Sequence, residues 1–198
     1  MKKLISAILI LCVWLSVNSC GKKDSASTAT TASPEIIIYV YSTTAIRPLD
    51  ADLVTNTCYG TNSSGYTSAP FYSTPIHDLK DRLPSSKWSN AVYSLQGHKI
   101  SSSWENLWDG NIDMSLHQAE VIYDNGSTET GFWTGTKSDG TFSGYSCSDW
   151  SSYSTSDNAT WGSFLIKDSS QWIDNGTTGN CSSGSSSYKK YFLCFMYN

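Results

Sequence analysis

Six cysteines carry most of the chemistry open to this chain, and their surroundings sort them. Cys20 closes Val17-Asn18-Ser19-Cys20-Gly21, small residues before a cysteine, which reads as a bacterial lipobox although Asn18 departs from the usual pattern. The chemistry expected there is acylation of the Cys20 thiol after removal of residues 1–19. Cys12 leaves with that leader. Cys58, Cys147, Cys181 and Cys194 remain, an even set in a chain expected to be exported, where disulfides are permitted. Four cysteines allow three pairings. No pair has C-x-x-C spacing, and His77, His98 and His117 stand at no ligand-like distance from a cysteine or each other, so a zinc site is not expected. His77-Asp78 supplies a general-base type of residue beside a carboxylate. No G-x-S-x-G accompanies it, and neighbours on the helix expected there point apart. The chain is therefore not read as an enzyme, and no cofactor is expected.

The leader explains the compartment. Met1-Lys2-Lys3 is a short basic region, and Leu4–Leu15 is apolar but too short to span a bilayer as a mature helix. Gly21 and Lys22 follow Cys20 without a retention aspartate, which favours outer-membrane sorting. The membrane is then met through the lipid anchor only. Residues 20–34 are rich in Ser, Thr and Ala and read as a flexible tether. Residues 35–198 are of single-domain size. The chain has 13 Lys+Arg against 17 Asp+Glu, a net charge of −4, and loss of Lys2 and Lys3 makes it more acidic. Arg47 and Arg82 are its only arginines. Without a basic stripe, nucleic acid is not an expected partner.

The elements that must hold these cysteines follow from pattern. Ile36-Ile37-Ile38-Tyr39-Val40-Tyr41 is β-branched and aromatic, a buried strand. Pro48 to Cys58 suits a short helix, and Thr74-Pro75 opens a second that runs to Leu83 and stops at Pro84. Ser102-x-x-Glu105 resembles a capping box before Trp104–Trp108. After Ala119 the pattern turns to strands and turns. Val121-Ile122-Tyr123, Phe132-Trp133, Gly162–Ile166 and Tyr188–Tyr197 read as strands, with turns at Asp124-Asn125-Gly126 and Ser138-Asp139-Gly140. The class is α+β: early short helices, a later antiparallel sheet, and long loops. Eight tryptophans and twelve tyrosines make a core feasible in so Ser/Thr-rich a chain.

Several segments resemble a known family. They are Ser103-Trp104-Glu105-Asn106-Leu107-Trp108-Asp109-Gly110, Phe132-Trp133-Thr134-Gly135, Gly144-Tyr145-Ser146-Cys147-Ser148-Asp149-Trp150, and the closing Tyr191-Phe192-Leu193-Cys194-Phe195-Met196. In this order they resemble endostatin, the C-terminal domain of certain collagens, whose fold is C-type-lectin-like. With the lipobox and tether, the chain is similar to the leptospiral endostatin-like outer-membrane lipoproteins, over Ile36 to Tyr197. The resemblance implies nested disulfides, Cys58–Cys194 and Cys147–Cys181, stapling the long loops. It implies a surface-exposed adhesin that binds host extracellular-matrix or plasma proteins of the laminin, fibronectin, complement factor H or plasminogen class. It also shows departures. Glu35–Tyr41 lacks the zinc-holding histidines of endostatin, two arginines argue against heparin, and the calcium motifs of sugar-binding lectins are missing. Trp172-Ile173-Asp174-Asn175 is a faint echo of one of them.

Candidate ligand-binding residues are Trp161 and Trp172, which fall among Ser, Asp and Gly and are of a type that dominates binding hot spots. Lys189-Lys190 is the densest basic pair and the route by which a lysine-binding kringle of plasminogen would hold the chain. Against these stand loop-pinning roles for the tryptophans and a solvated strand edge for the lysines. The expected function is a surface lipoprotein adhesin. The alternatives are a carbohydrate-binding lectin and a structural envelope lipoprotein without a host ligand.

Overall fold

Ile36–Val40 forms β1, and its position explains its composition. β8 (Leu193–Tyr197) runs antiparallel on one side, with Ile36 opposite Tyr197 and Tyr39 opposite Cys194. β3 (Val92–Ser94) runs parallel on the other, with Ile36 opposite Val92. A strand flanked on both edges and covered on both faces has no polar side to spare, so Ile36, Ile37 and Ile38 are all buried. β2 (Thr67–Pro70) and β4 (Lys99–Ser101) complete a mixed five-stranded sheet in the order β2-β8-β1-β3-β4. Pro70 lies in an edge strand, where a missing donor is tolerated. β5 (Gly131–Trp133), β6 (Asn158–Ser163) and β7 (Thr178–Asn180) form a separate antiparallel sheet. The fold is thus α+β in class, poor in helix, with two sheets and two disulfides.

The computed structural model describes residues 36–40, 58, 65–122, 131–182 and 190–198. The leader, Cys20, the tether, the helix expected from Pro48, the turn at Asp124–Gly126 and Lys189 lie outside the described residues.

Strand alternation builds two cores from one set of aromatics. Phe71, Phe132, Tyr191, Leu193 and Phe195 face the larger core. Their neighbours Tyr72, Trp133, Phe192 and Cys194 face a smaller one that holds both disulfides. Phe71 centres the first, edge-on to Trp104 at 5.9 Å and 6.4 Å from the Trp172 ring. Trp150 centres the second, 5.1 Å from Tyr72 and 5.4 Å from Phe192. Burying such rings, roughly 150–250 Å² each, offsets the thin supply of aliphatic residues.

Local expectations fail where tertiary hydrogen bonds override propensity. Instead of a helix over Thr74–Leu83, Thr74 and His77 bridge and only Leu79–Arg82 makes a 3-10 turn. The buried Ser73 hydroxyl accepts from Leu79 N at 2.9 Å, and Asp78 Oδ1 accepts from Phe142 N at 2.7 Å. Both side chains serve contacts that a continuous helix would break. At Glu105–Trp108, another 3-10 turn, Ser103 Oγ accepts from the Asn106 backbone N and Ser102 Oγ from Asn106 Nδ2, while Glu105 N donates to the Trp88 carbonyl, so the expected capping box does not form. Val121 and Ile122 are buried bends, not a strand. β6 begins four residues before the expected Gly162. At Gly162 a β-carbon would lie 2.3 Å from the Trp172 carbonyl oxygen, so only glycine fits.

Candidate functional site

The segment between β5 and β6, with β6 and β7, lines an open concave surface. It leaves the sheet at Thr134, turns over Lys137–Thr141, and returns along β6. Thr134 and Gly135 donate to the Thr160 carbonyl, and Thr160 N donates to the Tyr145 carbonyl at 3.1 Å. The Thr160 hydroxyl reaches Ser143 Oγ at 2.7 Å. Loop and strand are therefore zipped together.

Below this zip runs a trough in two hollows, about 630 Å³ and about 360 Å³, which share Tyr145 and Asn158 as walls. The larger takes Lys137, Thr160, Asp174 and Thr178 into its lining. The smaller takes Ser148, Asp149 and Asp157. Tyr145 is 52% exposed between them. The trough thus presents the exposed Tyr145 ring with the half-buried Phe142 also in its lining, an amide, several hydroxyls and charges of both signs. It suits hydrogen-bonded recognition of a polar surface, not a dry apolar ligand.

A left-handed turn fixes the far wall. Cys147, Ser148, Asp149 and Trp150 have φ of 51°, 54°, 56° and 62°. For residues other than glycine this costs roughly 1–2 kcal/mol each, so the surroundings must impose it. They do so at both ends. Cys147 is bonded to Cys181, Asp149 N donates to Ser146 Oγ at 3.2 Å, and the Trp150 indole donates to the Ser73 carbonyl at 3.0 Å. Gly135, at φ +58°, lets the Trp150 ring close in, where a β-carbon would stand 2.9 Å from it.

The structure distributes the expected site residues unevenly. Cys58 is bonded to Cys194 and Cys147 to Cys181, the nested pairing. Trp161 lies half-buried on β6, directly across from Trp133. Lys190 is only 8% exposed, and its Nζ sits 3.9 Å from the Trp161 ring centroid and 5.9 Å from that of Trp133. The two candidates are thus joined, but in contact with each other. The reading of Lys190 as a charge offered to a partner is corrected: its ammonium is turned inward over an indole. Trp172 is corrected likewise. It is fully buried in the larger core, in a 3-10 turn at Ser170–Trp172, and touches no partner from there. Ser170 and Gln171 before it lie at the surface, while Trp172 and Ile173 turn inward and pin the loop. His77 is exposed and Asp78 is engaged with the Phe142 amide, so the pair forms no hydrogen-bonded dyad in the described contacts. Residues the sequence reading missed are Tyr145, Lys137, Thr160 and Asp174. The available signal was a tyrosine among Gly and Ser in the longest loop between paired strands. Compared with known protein families and with curated proteins, the chain matches none.

Proposed function

We propose that this chain is a lipid-anchored, surface-exposed outer-membrane adhesin. Its endostatin-like, C-type-lectin-like domain would bind host matrix or plasma proteins through the trough around Tyr145. The observation that carries this reading is the trough: an open, polar concavity with an exposed ring at its centre, built from loops packed on β6 and β7. Binding residues concentrate on loops that a stiff scaffold positions. Here the Cys147–Cys181 bond and the Thr160 zip provide the stiffness. The lipobox at Cys20 supports the anchor, and the nested disulfides agree with the endostatin resemblance, which supplies the partner class: laminin, fibronectin, complement factor H or plasminogen.

The test is solid-phase binding of the purified full-length protein to a panel of these four, with Tyr145→Ala in parallel. Binding to at least one member, reduced in Tyr145→Ala, supports the reading; no binding to any member refutes it. A carbohydrate-binding lectin is the second reading. It is favoured by the hydroxyl and amide groups of Asn158, Thr160 and Thr178 beside a tyrosine. Enzymatic deglycosylation of the host proteins separates the two, because a lectin loses its ligand and a protein-binding adhesin keeps it.

A further inference from the structure

A second concavity lies on the other side of the Lys137–Thr141 turn. It is about 220 Å³ and is walled by Trp88 and Trp108 with Lys80, Glu105 and Asp139 completing its lining. Its volume is below the roughly 300–1,000 Å³ of ordinary small-molecule sites, room for one side chain rather than a whole ligand.

Both indoles are held in place. The Trp88 ring donates from Nε1 to the Leu83 carbonyl at 2.9 Å, and its own carbonyl accepts from Glu105 N at 3.1 Å. Trp108 is set edge-on to Trp104 at 5.4 Å and stacked on Phe71 at 6.4 Å. The 137–141 turn rests directly on Trp108. Gly140, at φ +80°, leaves no space for a β-carbon, which would meet Trp108 Cδ2 at 2.8 Å. Asp139 is fixed in that turn, its Oδ1 accepting from Thr141 N at 3.0 Å and from the Thr141 hydroxyl at 2.6 Å. The Thr141 hydroxyl chiefly, with its amide and the Lys80 and Lys137 charges, holds the Asp139 carboxyl below the usual carboxylate range despite some desolvation.

Apolar aromatic walls lined by two carboxylates and one ammonium, with the Lys137 charge acting on Asp139 from outside the lining, complement a ligand with an apolar stem and a positive head. Indole faces attract such a head through the ring quadrupole. We propose that this cleft is a receptor for a single cationic side chain, lysyl or arginyl, presented by a protein partner. The Lys80 ammonium, whose charge already acts on Asp139, is the internal competitor for that carboxylate. The cleft shares no lining residue with the trough. The inference therefore stands or falls independently of the adhesin reading, and its test needs no host protein.

The experiment titrates the purified full-length protein, both disulfides formed, with three probes: Nα-acetyl-lysine methylamide, its arginine counterpart, and its uncharged norleucine counterpart. The readout is the indole N–H resonances of Trp88 and Trp108. We expect the two cationic probes to shift these resonances saturably and to bind about tenfold more tightly than norleucine. Glu105→Gln, at an exposed position, weakens the cationic probes about two- to fivefold. Lys80→Gln, which keeps the stem against Gly140, tightens them. Trp88→Phe weakens them while preserving an aromatic wall, and is read at Trp108. Equal binding of norleucine and lysine overturns the proposal, as does the absence of any shift with the cationic probes. So does a Lys80→Gln variant that weakens binding as Glu105→Gln does.

Discussion

The ammonium of Lys190 lies 3.9 Å from the centroid of the Trp161 indole, beneath a surface that the same two residues were expected to offer to partners. A cation over a ring, with a stem laid along apolar neighbours, stabilises the fold more than it attracts a ligand. Lys190→Ala should therefore lower stability by about 1–2 kcal/mol in urea unfolding. Lys190→Met, which keeps the stem, should cost less. Both variants should bind matrix proteins like the parent. Lost binding in a fully folded Lys190→Met would restore its role as a contact residue.

Trp172→Ala should act through the core alone. Removing a fully buried indole costs about 3–5 kcal/mol. Gly162→Ala should also destabilise, by about 2–3 kcal/mol, because its β-carbon must displace the Trp172 carbonyl. Thermal unfolding followed by near-ultraviolet circular dichroism measures both. A Gly162→Ala protein as stable as the parent would mean that this close approach is relaxed in solution.

How far these relationships were legible in the sequence depended on whether the cause was local. The run Ile36–Ile38 announces a buried strand because three consecutive β-branched residues fit no half-exposed element. Leu193–Tyr197 is legible for a different reason, an unbroken apolar and aromatic run that closes the chain. β2, β3, β4 and β7 were missed: each is only three or four residues long, and Thr67, Ser94, Lys99 and Gly179 carry no strand signal without the neighbours they pair with. The disulfide pairing came from the family resemblance, since spacing alone allowed three. Trp172 misled because its polar neighbours describe the path of the backbone, whereas the Ser170–Trp172 turn sends the ring inward. The left-handed turn at Cys147–Trp150 has no glycine to betray it. It exists because Cys181, Ser73 and Phe192, from three distant parts of the chain, hold Cys147 and the Trp150 ring in place.

The Cys147–Cys181 bond encloses a segment with a sequence separation of 34. Replacing both with serine should cost about 3–4 kcal/mol on the loop-entropy account. It should also free Ser148 and Asp149 from their positive-φ conformation and reshape the smaller hollow. The measurable result is a lower unfolding midpoint together with weaker matrix-protein binding at temperatures where the protein remains folded. Unchanged binding in that folded double variant would detach the staple from the site.

Asp139 gives a pH signature. Its carboxyl titrates below the ordinary value in the folded protein, mainly because the Thr141 hydroxyl donates to it. Its contribution is thus fully present above the unfolded value of about 3.9 and is lost as pH falls through the lower folded value. The stability difference between the parent and Asp139→Ala should be constant near neutrality and shrink on acidification through that range. Urea midpoints at a series of pH values measure it; a difference that grows in acid would contradict the assignment.

The central claim is tested most directly at Tyr145, whose exposed ring stands between the two hollows. Solid-phase binding to laminin, fibronectin, complement factor H and plasminogen should be compared for the parent and Tyr145→Ala, at physiological and several-fold higher salt. The account predicts binding to at least one partner that persists in added salt, because no basic patch drives it. It predicts a loss of about fivefold or more in Tyr145→Ala, the scale of an interface anchor. Binding that vanishes with salt, or a folded Tyr145→Ala protein that binds every partner as the parent does, would contradict it.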